Sequence, residues 1–143
     1  MRVEGEWRET TTTVPRPYVR AHLEAHDGTW VECLFLIDTG ADCTVISHDI
    51  ARLLGRPTVP AARPLQGIGG VIESLELWTT LRFAATNGTR FNIEGKYDTP
   101  AQPNDEGCIL GYNVLHLFSV VIDKTGDTVC LLRPPHRYVI QRV

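Results

Sequence analysis

The chain has 143 residues, of which 43% are hydrophobic and 22% are charged, and its formal net charge is -3 at pH 7. This length suits one domain with one core, spanning residues 1–143, and the ordinary composition excludes disordered and fibrous proteins. No basic stripe is present, so we expect no nucleic-acid partner. The apolar runs are far shorter than a membrane span and the start lacks a secretory signal, so we expect a cytoplasmic protein without membrane contact.

The four cysteines, Cys33, Cys43, Cys108 and Cys130, are scattered along the chain without a CxxC pair. This spacing argues against a zinc site and against a small disulfide framework. Free cysteine is among the residue types most often buried in proteins. We therefore expect four reduced, buried thiols and no metal site.

The first part of the chain begins with a polar segment and continues with alternating apolar and polar residues. Residues 1–14 are polar and predict an arm or an edge strand rather than core. From Tyr18 apolar and polar residues alternate, which is the period of a half-buried strand, and Asp27-Gly28 then predicts a tight turn. Residues 30–37 are rich in β-formers and become continuously apolar, so they predict a strand that enters the core.

The middle and end of the chain predict one short helix, several hairpins and a second short helix. Residues 48–54 predict a helix, with Ser47 as its cap and Gly55 at its end. Residues 71–83 and 90–96 are strand-like, and residues 97–107 predict a polar loop. A short strand and a helix follow, and residues 119–123 and 128–132 flank an unambiguous hairpin signal. The pattern as a whole predicts a mostly β fold.

An Asp-Thr-Gly triplet follows a continuously apolar strand. Asp38-Thr39-Gly40 comes directly after Leu34-Phe35-Leu36-Ile37. A carboxylate that leaves a hydrophobic strand is costly to bury unless it is hydrogen-bonded, paired or placed in a cleft. From the triplet alone two interpretations are open: Asp38 caps the backbone of a Thr-Gly turn, or it performs chemistry in a cleft.

The residues around the triplet resemble the active-site segment of retropepsins, the retroviral-type aspartic proteases. The resemblance comprises the apolar strand at residues 34–37, the run Asp38-Thr39-Gly40-Ala41-Asp42, and Thr44-Val45-Ile46-Ser47. Further along, Gly67-Ile68-Gly69-Gly70 resembles the glycine-rich tip of the retropepsin flap.

Two later segments extend the same resemblance in the family's order. Ile109-Leu110-Gly111, followed by Asn113-Val114-Leu115, resembles the strand and helix that wrap behind the catalytic loop. The closing hairpin between residues 118 and 132 is similar to that of bacterial and retroelement members. The resemblance thus spans residues 18–132 and leaves residues 133–143 as a C-terminal tail.

The resemblance implies an all-β, homodimeric protein whose fold is a small closed acid-protease barrel with one or two short helices. It implies that Asp38 is catalytic and that Thr39 and Gly40 support the catalytic loop. The residues that it assigns to substrate binding are Ala41, Asp42, Gly67, Ile68, Gly69 and Gly70.

The implied chemistry is peptide hydrolysis by two carboxylates that share one proton, because two like charges so close together cannot both ionise. The chain carries one such triplet, so the second Asp38 has to come from another copy related by a two-fold axis. The resemblance therefore implies an endopeptidase that cleaves peptide or protein substrates, needs no metal or organic cofactor, and favours mildly acidic pH.

One departure from the family keeps a second function open. Retroviral members commonly have an Arg after the glycine of the Ile-Leu-Gly element, and this Arg pairs with the second Asp of the active-site segment. Tyr112 stands at that place here. We therefore expect Asp42 to bind an Arg of the N-terminal arm or substrate amides. The alternative function is a non-catalytic dimerisation or peptide-binding module with the same fold.

Overall fold

The computed structural model describes residues 1–10, 14–137 and 139–141. Residues 11–13 of the predicted arm, and residues 138, 142 and 143 of the predicted tail, lie outside the described residues. The described residues form strands and two short helices, so the all-β prediction is confirmed. The strands are β1 (Arg2–Arg8), β2 (Arg16–Glu24), β3 (Trp30–Ile37), β4 (Thr58–Pro60), β5 (Leu65–Gly67), β6 (Gly70–Ile72), β7 (Ser74–Ala84), β8 (Arg90–Pro100), β9 (Cys108–Leu110), β10 (Ser119–Asp123) and β11 (Thr128–Leu132), and the helices are α1 (His48–Leu54) and α2 (Tyr112–Leu115).

One large sheet organises the chain. Its main path runs β10-β11-β1-β2-β3-β9, and β7 joins it through β2 while also pairing with β4 and β8. The β3–β9 pair is parallel, and its register places Ile37 beside Leu110. The carboxyl ends of these two strands therefore lie together, so the segments that follow them in the chain, residues 38–42 and α2, start from one edge of the sheet.

The core forms where the alternating side chains of the strands meet. Val19, Ala21 and Leu23 of β2 are at most 1% exposed, as the alternation predicts for a half-buried strand. Phe35 of β3 and Leu110 of β9 are fully buried in the same cluster. Burial of each such large apolar side chain stabilises the fold by about 1.5–3 kcal/mol.

Strand β1 corrects the prediction that the polar N-terminal segment lies outside the core. It pairs with β11 on one side and with β2 on the other, and Val3 is 2% exposed. Its apolar alternation is interrupted at Gly5, where an added Cβ would overlap Val129 and lie 2.6 Å from the carbonyl oxygen of Tyr18. Only glycine fits this close approach, and it hides the strand pattern in the sequence.

Strand β8 corrects the predicted loop at residues 97–107. The strand continues to Pro100, with Tyr97 and Thr99 at most 3% exposed, so the loop is limited to residues 101–107. The backbone carbonyl of Asp98 accepts the N–H of Ile46 at 2.8 Å, and the Asp98 N–H donates to the Thr44 carbonyl at 3.3 Å. The ladder with β7 also continues here, from Tyr97↔Leu77 to Pro100↔Ser74, and both pairings extend the strand beyond its local sequence preference.

Helix α1 and the closing hairpin follow their predictions. Ser47 Oγ accepts the N–H of Ile50 at 3.4 Å, and Gly55 ends the helix in the left-handed region at φ 62°. Strands β10 and β11 pair along their full lengths on either side of residues 124–127. Neither helix of the described residues is long and apolar enough to cross a membrane.

Candidate active site

Asp38 lies at the first position after β3 and is held there by backbone and side-chain hydrogen bonds. Its N–H donates to the Leu110 carbonyl at 3.1 Å, which continues the parallel β3–β9 pairing. Its Oδ1 accepts the N–H of Gly40 at 2.9 Å. Among the described residues the second carboxylate oxygen has no hydrogen-bond donor, and the side chain is partly exposed. Asp38 therefore caps the turn through one oxygen and presents the other to solvent.

The loop after Asp38 is anchored by the first turn of α2. Tyr112 donates its N–H to the Ala41 carbonyl at 2.7 Å, and Asn113 donates its N–H to the Asp42 carbonyl at 3.1 Å. The first N–H groups of a helix have no partner within the helix, so they are available for this role. The loop is thus fixed at Asp38, Ala41 and Asp42, while Thr39 and Gly40 remain exposed.

A buried polar network lies behind this loop. Thr44, 1% exposed, directs its N–H and its hydroxyl to Asn113 Oδ1 at 2.9 Å and 2.8 Å. The Thr44 hydroxyl in turn accepts the N–H of Gly111 at 3.0 Å. Thr44 and Asn113 are residues of the site that the sequence pattern did not indicate. Each is a polar residue beside an apolar stretch that has to be buried, and this position was the one sign of their role in the sequence.

Replacing Thr44 with valine should lower the free energy of unfolding by about 1–3 kcal/mol. Valine keeps the shape of threonine but leaves the Gly111 N–H without its acceptor. The measurement is urea unfolding of both proteins. The matched control is Thr80→Val on strand β7, since the Thr80 hydroxyl has no hydrogen-bond partner among the described residues. Equal losses in the two variants would contradict a special role for the network.

The predicted glycine-tipped hairpin is confirmed. Strands β5 and β6 pair from Leu65↔Ile72 to Gly67↔Gly70, so Ile68 and Gly69 form the tip. Gly70 has φ 120°, which L side chains rarely adopt. The Ile68 side chain is fully exposed, and Val71 and Ile72 are exposed on the same hairpin; we call these three residues the flap surface. No hydrogen bond among the described residues joins this hairpin to the Asp38 loop.

Asp42 has no ion pair among the described residues of the single chain, so no Arg of the N-terminal segment binds it within the same chain. The two arginines of β1 bind carboxylates of the same strand: Arg2 pairs with Glu4, and Arg8 pairs with Glu6 at 3.1 Å. Asp42 is exposed. The other expectation for Asp42, contact with substrate amides, stays a prediction.

Cys43 corrects the prediction that all four cysteines are buried, because its side chain is exposed. All four are free thiols, and the other three are buried as predicted. Cys43 lies beside Asp98. Burial raises the pKa of Asp98 because it penalises the charged carboxylate, and the nearby Cys43 thiol opposes this effect. Among the described residues no cluster of three or more His, Cys, Asp or Glu is placed to hold a metal ion.

Similarity to known proteins is found among solved structures. No protein-family model and no curated protein sequence matches the chain. Among solved structures, a retropepsin-like aspartic protease from Rickettsia conorii superposes with a TM-score of 0.59 and 20% identity, over 92% of this chain and 88% of that chain. The EIAV protease complexed with the inhibitor HBY-793 superposes with a TM-score of 0.53 and 21% identity, over 76% of this chain and 92% of that chain.

The chain has a retropepsin-like fold. The resemblance inferred from the sequence is thereby confirmed at the level of the fold. In this retropepsin-like fold, Asp38 stands at the end of β3, with β9 and α2 packed behind its loop and the flap surface on a separate hairpin. Solved structures at this identity define the architecture, and the chemistry depends on the residues that the architecture carries.

Proposed function

We propose that the protein is an aspartic endopeptidase that acts as a homodimer, with the two copies of Asp38 as its catalytic dyad. The observation that carries the proposal is the Asp38 carboxylate at the end of β3. One of its oxygens is held by Gly40 and the other is free of donors among the described residues. In a retropepsin-like fold, a carboxylate with one oxygen free of donors supports a role as a general acid or base.

The proposed chemistry divides two roles between two identical carboxylates. When they lie side by side, one proton is shared between them because two adjacent negative charges repel. The ionised Asp38 removes a proton from a water molecule, which attacks the peptide carbonyl carbon. The protonated Asp38 of the second copy donates a hydrogen bond to the carbonyl oxygen. The product of this step is a tetrahedral diol, and no covalent bond to the enzyme forms.

The homodimer follows from the number of carboxylates. The chain carries one Asp-Thr-Gly triplet, and a dyad needs two. A two-fold axis beside Asp38 supplies the second from an identical subunit. Exposed Thr39 is available to contact the partner loop across this axis, and exposed Gly40 leaves room for a peptide backbone.

The proposed substrate is an extended peptide that lies between the dyad and the flap. The flap surface of Ile68, Val71 and Ile72 is exposed and apolar, so it suits a hairpin that closes over substrate and excludes water. Ala41 and Asp42 flank the groove on the opposite side in this proposal. Mainly apolar side chains are expected beside the scissile bond.

The second candidate is a non-catalytic module that dimerises or holds peptides. Tyr112 favours it, because this neutral residue stands where retroviral members commonly have an Arg, and Asp42 has no ion pair among the described residues. Such a module keeps the fold and the groove but releases a bound peptide intact.

A peptide-library cleavage assay separates the two candidates. The protein is incubated with the library at several pH values, with and without a transition-state-mimicking inhibitor of aspartic proteases, and products are read by mass spectrometry. The proposal expects internal cleavage that is fastest at mildly acidic pH and blocked by the inhibitor. Peptides that bind but stay intact at every pH would favour the module.

Dilution provides a prediction specific to the shared site. Specific activity should fall as the protein is diluted through its dimer dissociation constant, because a monomer holds half of the dyad. Activity and sedimentation are measured over the same concentrations. The matched control is a tandem fusion of two copies through a flexible linker, which should lose less activity on dilution. Cleavage by a species that sediments as a monomer would contradict the proposal.

A further inference from the structure

A cavity of about 290 Å³ lies between helix α1 and the sheet, and none of the residues assigned to the candidate active site lines it. Helix α1 and the segment after it contribute His48, Arg52 and Arg56 to the wall. Strands β7 and β8 contribute Leu75 and Thr99, which are paired across the two strands. The cavity is open to solvent, so a small molecule can enter it.

The charge of the cavity wall is positive. Two arginines line it, and none of the residues that line it is an Asp or Glu. Arg56 is fixed and partly neutralised, because its Nε donates to the Glu24 carbonyl at 2.9 Å and its Nη2 lies 3.3 Å from Glu24 Oε2. Arg52 is exposed, and its guanidinium has no ion pair or hydrogen bond among the described residues. Arg52 is therefore available to bind an anion.

The rest of the wall is mainly apolar but includes two polar atoms without partners. Ala51 and Pro100 supply apolar surface. The Thr99 hydroxyl and His48 Nδ1 are buried and have no hydrogen-bond partner among the described residues. Asp49 Oδ1 lies 3.7 Å from His48 Nδ1, which is beyond hydrogen-bond range. Buried polar atoms in proteins are nearly always satisfied, and since both residues line the cavity, a change of rotamer can turn these atoms toward a ligand.

We propose that this cavity binds a small organic carboxylate with an apolar body. The carboxylate accepts hydrogen bonds from the Arg52 guanidinium, whose planar fork matches two carboxylate oxygens. The apolar body packs against Ala51, Leu75 and Pro100.

The size and the wall of the cavity select this class of ligand. A cavity of about 150 Å³ is enough to hold benzene. The larger volume here leaves room for one ring and a carboxylate. Inorganic phosphate fits less well, because it has no apolar group and would lose hydration beside an apolar wall. The proposal does not depend on protease activity.

The probe is sodium benzoate, titrated into the full chain at constant ionic strength and followed by two-dimensional amide NMR. The expected result is saturable binding, with the largest shifts at residues 48–58 and at Thr99. Acetate has the charge without the ring, and benzyl alcohol has the ring without the charge, so each should bind about tenfold more weakly or worse. Displacement of benzoate by equimolar phosphate, or equally tight binding of acetate or benzyl alcohol, would overturn the proposal.

Replacing Arg52 with glutamine should weaken benzoate binding by about tenfold, because it removes the charge that holds the carboxylate. The matched control is Arg90→Gln, the same change at an exposed arginine of β8 that does not line the cavity, and its affinity should stay within about twofold. Ala51→Leu, which fills part of the cavity, should also weaken binding, and the two arginine variants decide the result even where it prevents folding. Absence of saturable binding, or equal weakening in both arginine variants, contradicts the assignment.

Discussion

Replacing Asp38 with asparagine is expected to reduce kcat/KM for peptide cleavage by about a thousandfold or more, while the fold and the dimer stay intact. Asparagine has the shape of aspartate and keeps an oxygen that accepts the Gly40 N–H. It carries no negative charge and cannot take a proton from water, so the general base is lost from both halves of the dyad. The measurement is steady-state cleavage of a peptide selected from the library, with circular dichroism and sedimentation on the same samples.

The matched control is Asp49→Asn, the same chemical change at an exposed position of α1. Its kcat/KM should stay within about twofold of the unmodified protein, since surface substitutions of this kind change little. If Asp38→Asn cleaved the peptide as fast as Asp49→Asn, the hydrolysis would come from other residues or from a contaminant, and the dyad would be wrong.

Replacing Gly111 with alanine is expected to lower the free energy of unfolding by about 3 kcal/mol. The added Cβ would overlap the backbone carbonyl of Cys43 and lie 2.8 Å from the Thr44 nitrogen. The backbone there is fixed by the paired hydrogen bonds between Val45 and Ile109, both 2.9 Å, so it has little freedom to move away. Gly111 has φ -91°, which alanine adopts readily, and the cost is therefore steric.

The control is Gly67→Ala in strand β5, where an added Cβ has no atom within 4 Å. This variant should unfold within about 0.5 kcal/mol of the unmodified protein. Chemical denaturation of both variants measures the difference. A Gly111→Ala protein as stable as Gly67→Ala would contradict the close packing of α2 against the Asp38 loop.

The elements that could be predicted from the sequence are those with a local signal. The alternation in β2, the Ser47 and Gly55 caps of α1 and the turn at residues 124–127 each specify their own structure within a few residues. Strand β1 lacked this signal at Gly5, where packing against Val129 requires the residue that breaks the pattern. The end of β8 was missed because Asp98 pairs with Thr44 and Ile46, which are distant in sequence.

The residues of the candidate site also divide into those with a local signal in the sequence and those that depend on distant contacts. Asp38 was predicted because an Asp-Thr-Gly triplet follows an apolar strand and the residues around it resemble the retropepsin active-site segment, and both signals are local in the sequence. Thr44 and Asn113 were not found, because their hydrogen bonds exist only once β9 and α2 are packed behind the loop. Cys43 was wrongly expected to be buried because the expectation rested on the residue type alone, whereas its position in the loop faces solvent.

Subunit mixing tests the shared dyad most directly. The unmodified protein and Asp38→Asn are mixed in varying ratios at constant total concentration, allowed to exchange subunits, and assayed for cleavage. If each site needs one Asp38 from each copy, activity falls as the square of the unmodified fraction, to about a quarter in an equal mixture. A linear fall, to about half in the equal mixture after exchange is complete, would mean that each Asp38 acts independently, and a fall to only about three quarters would mean that one Asp38 per dimer suffices. Either result would contradict the dyad.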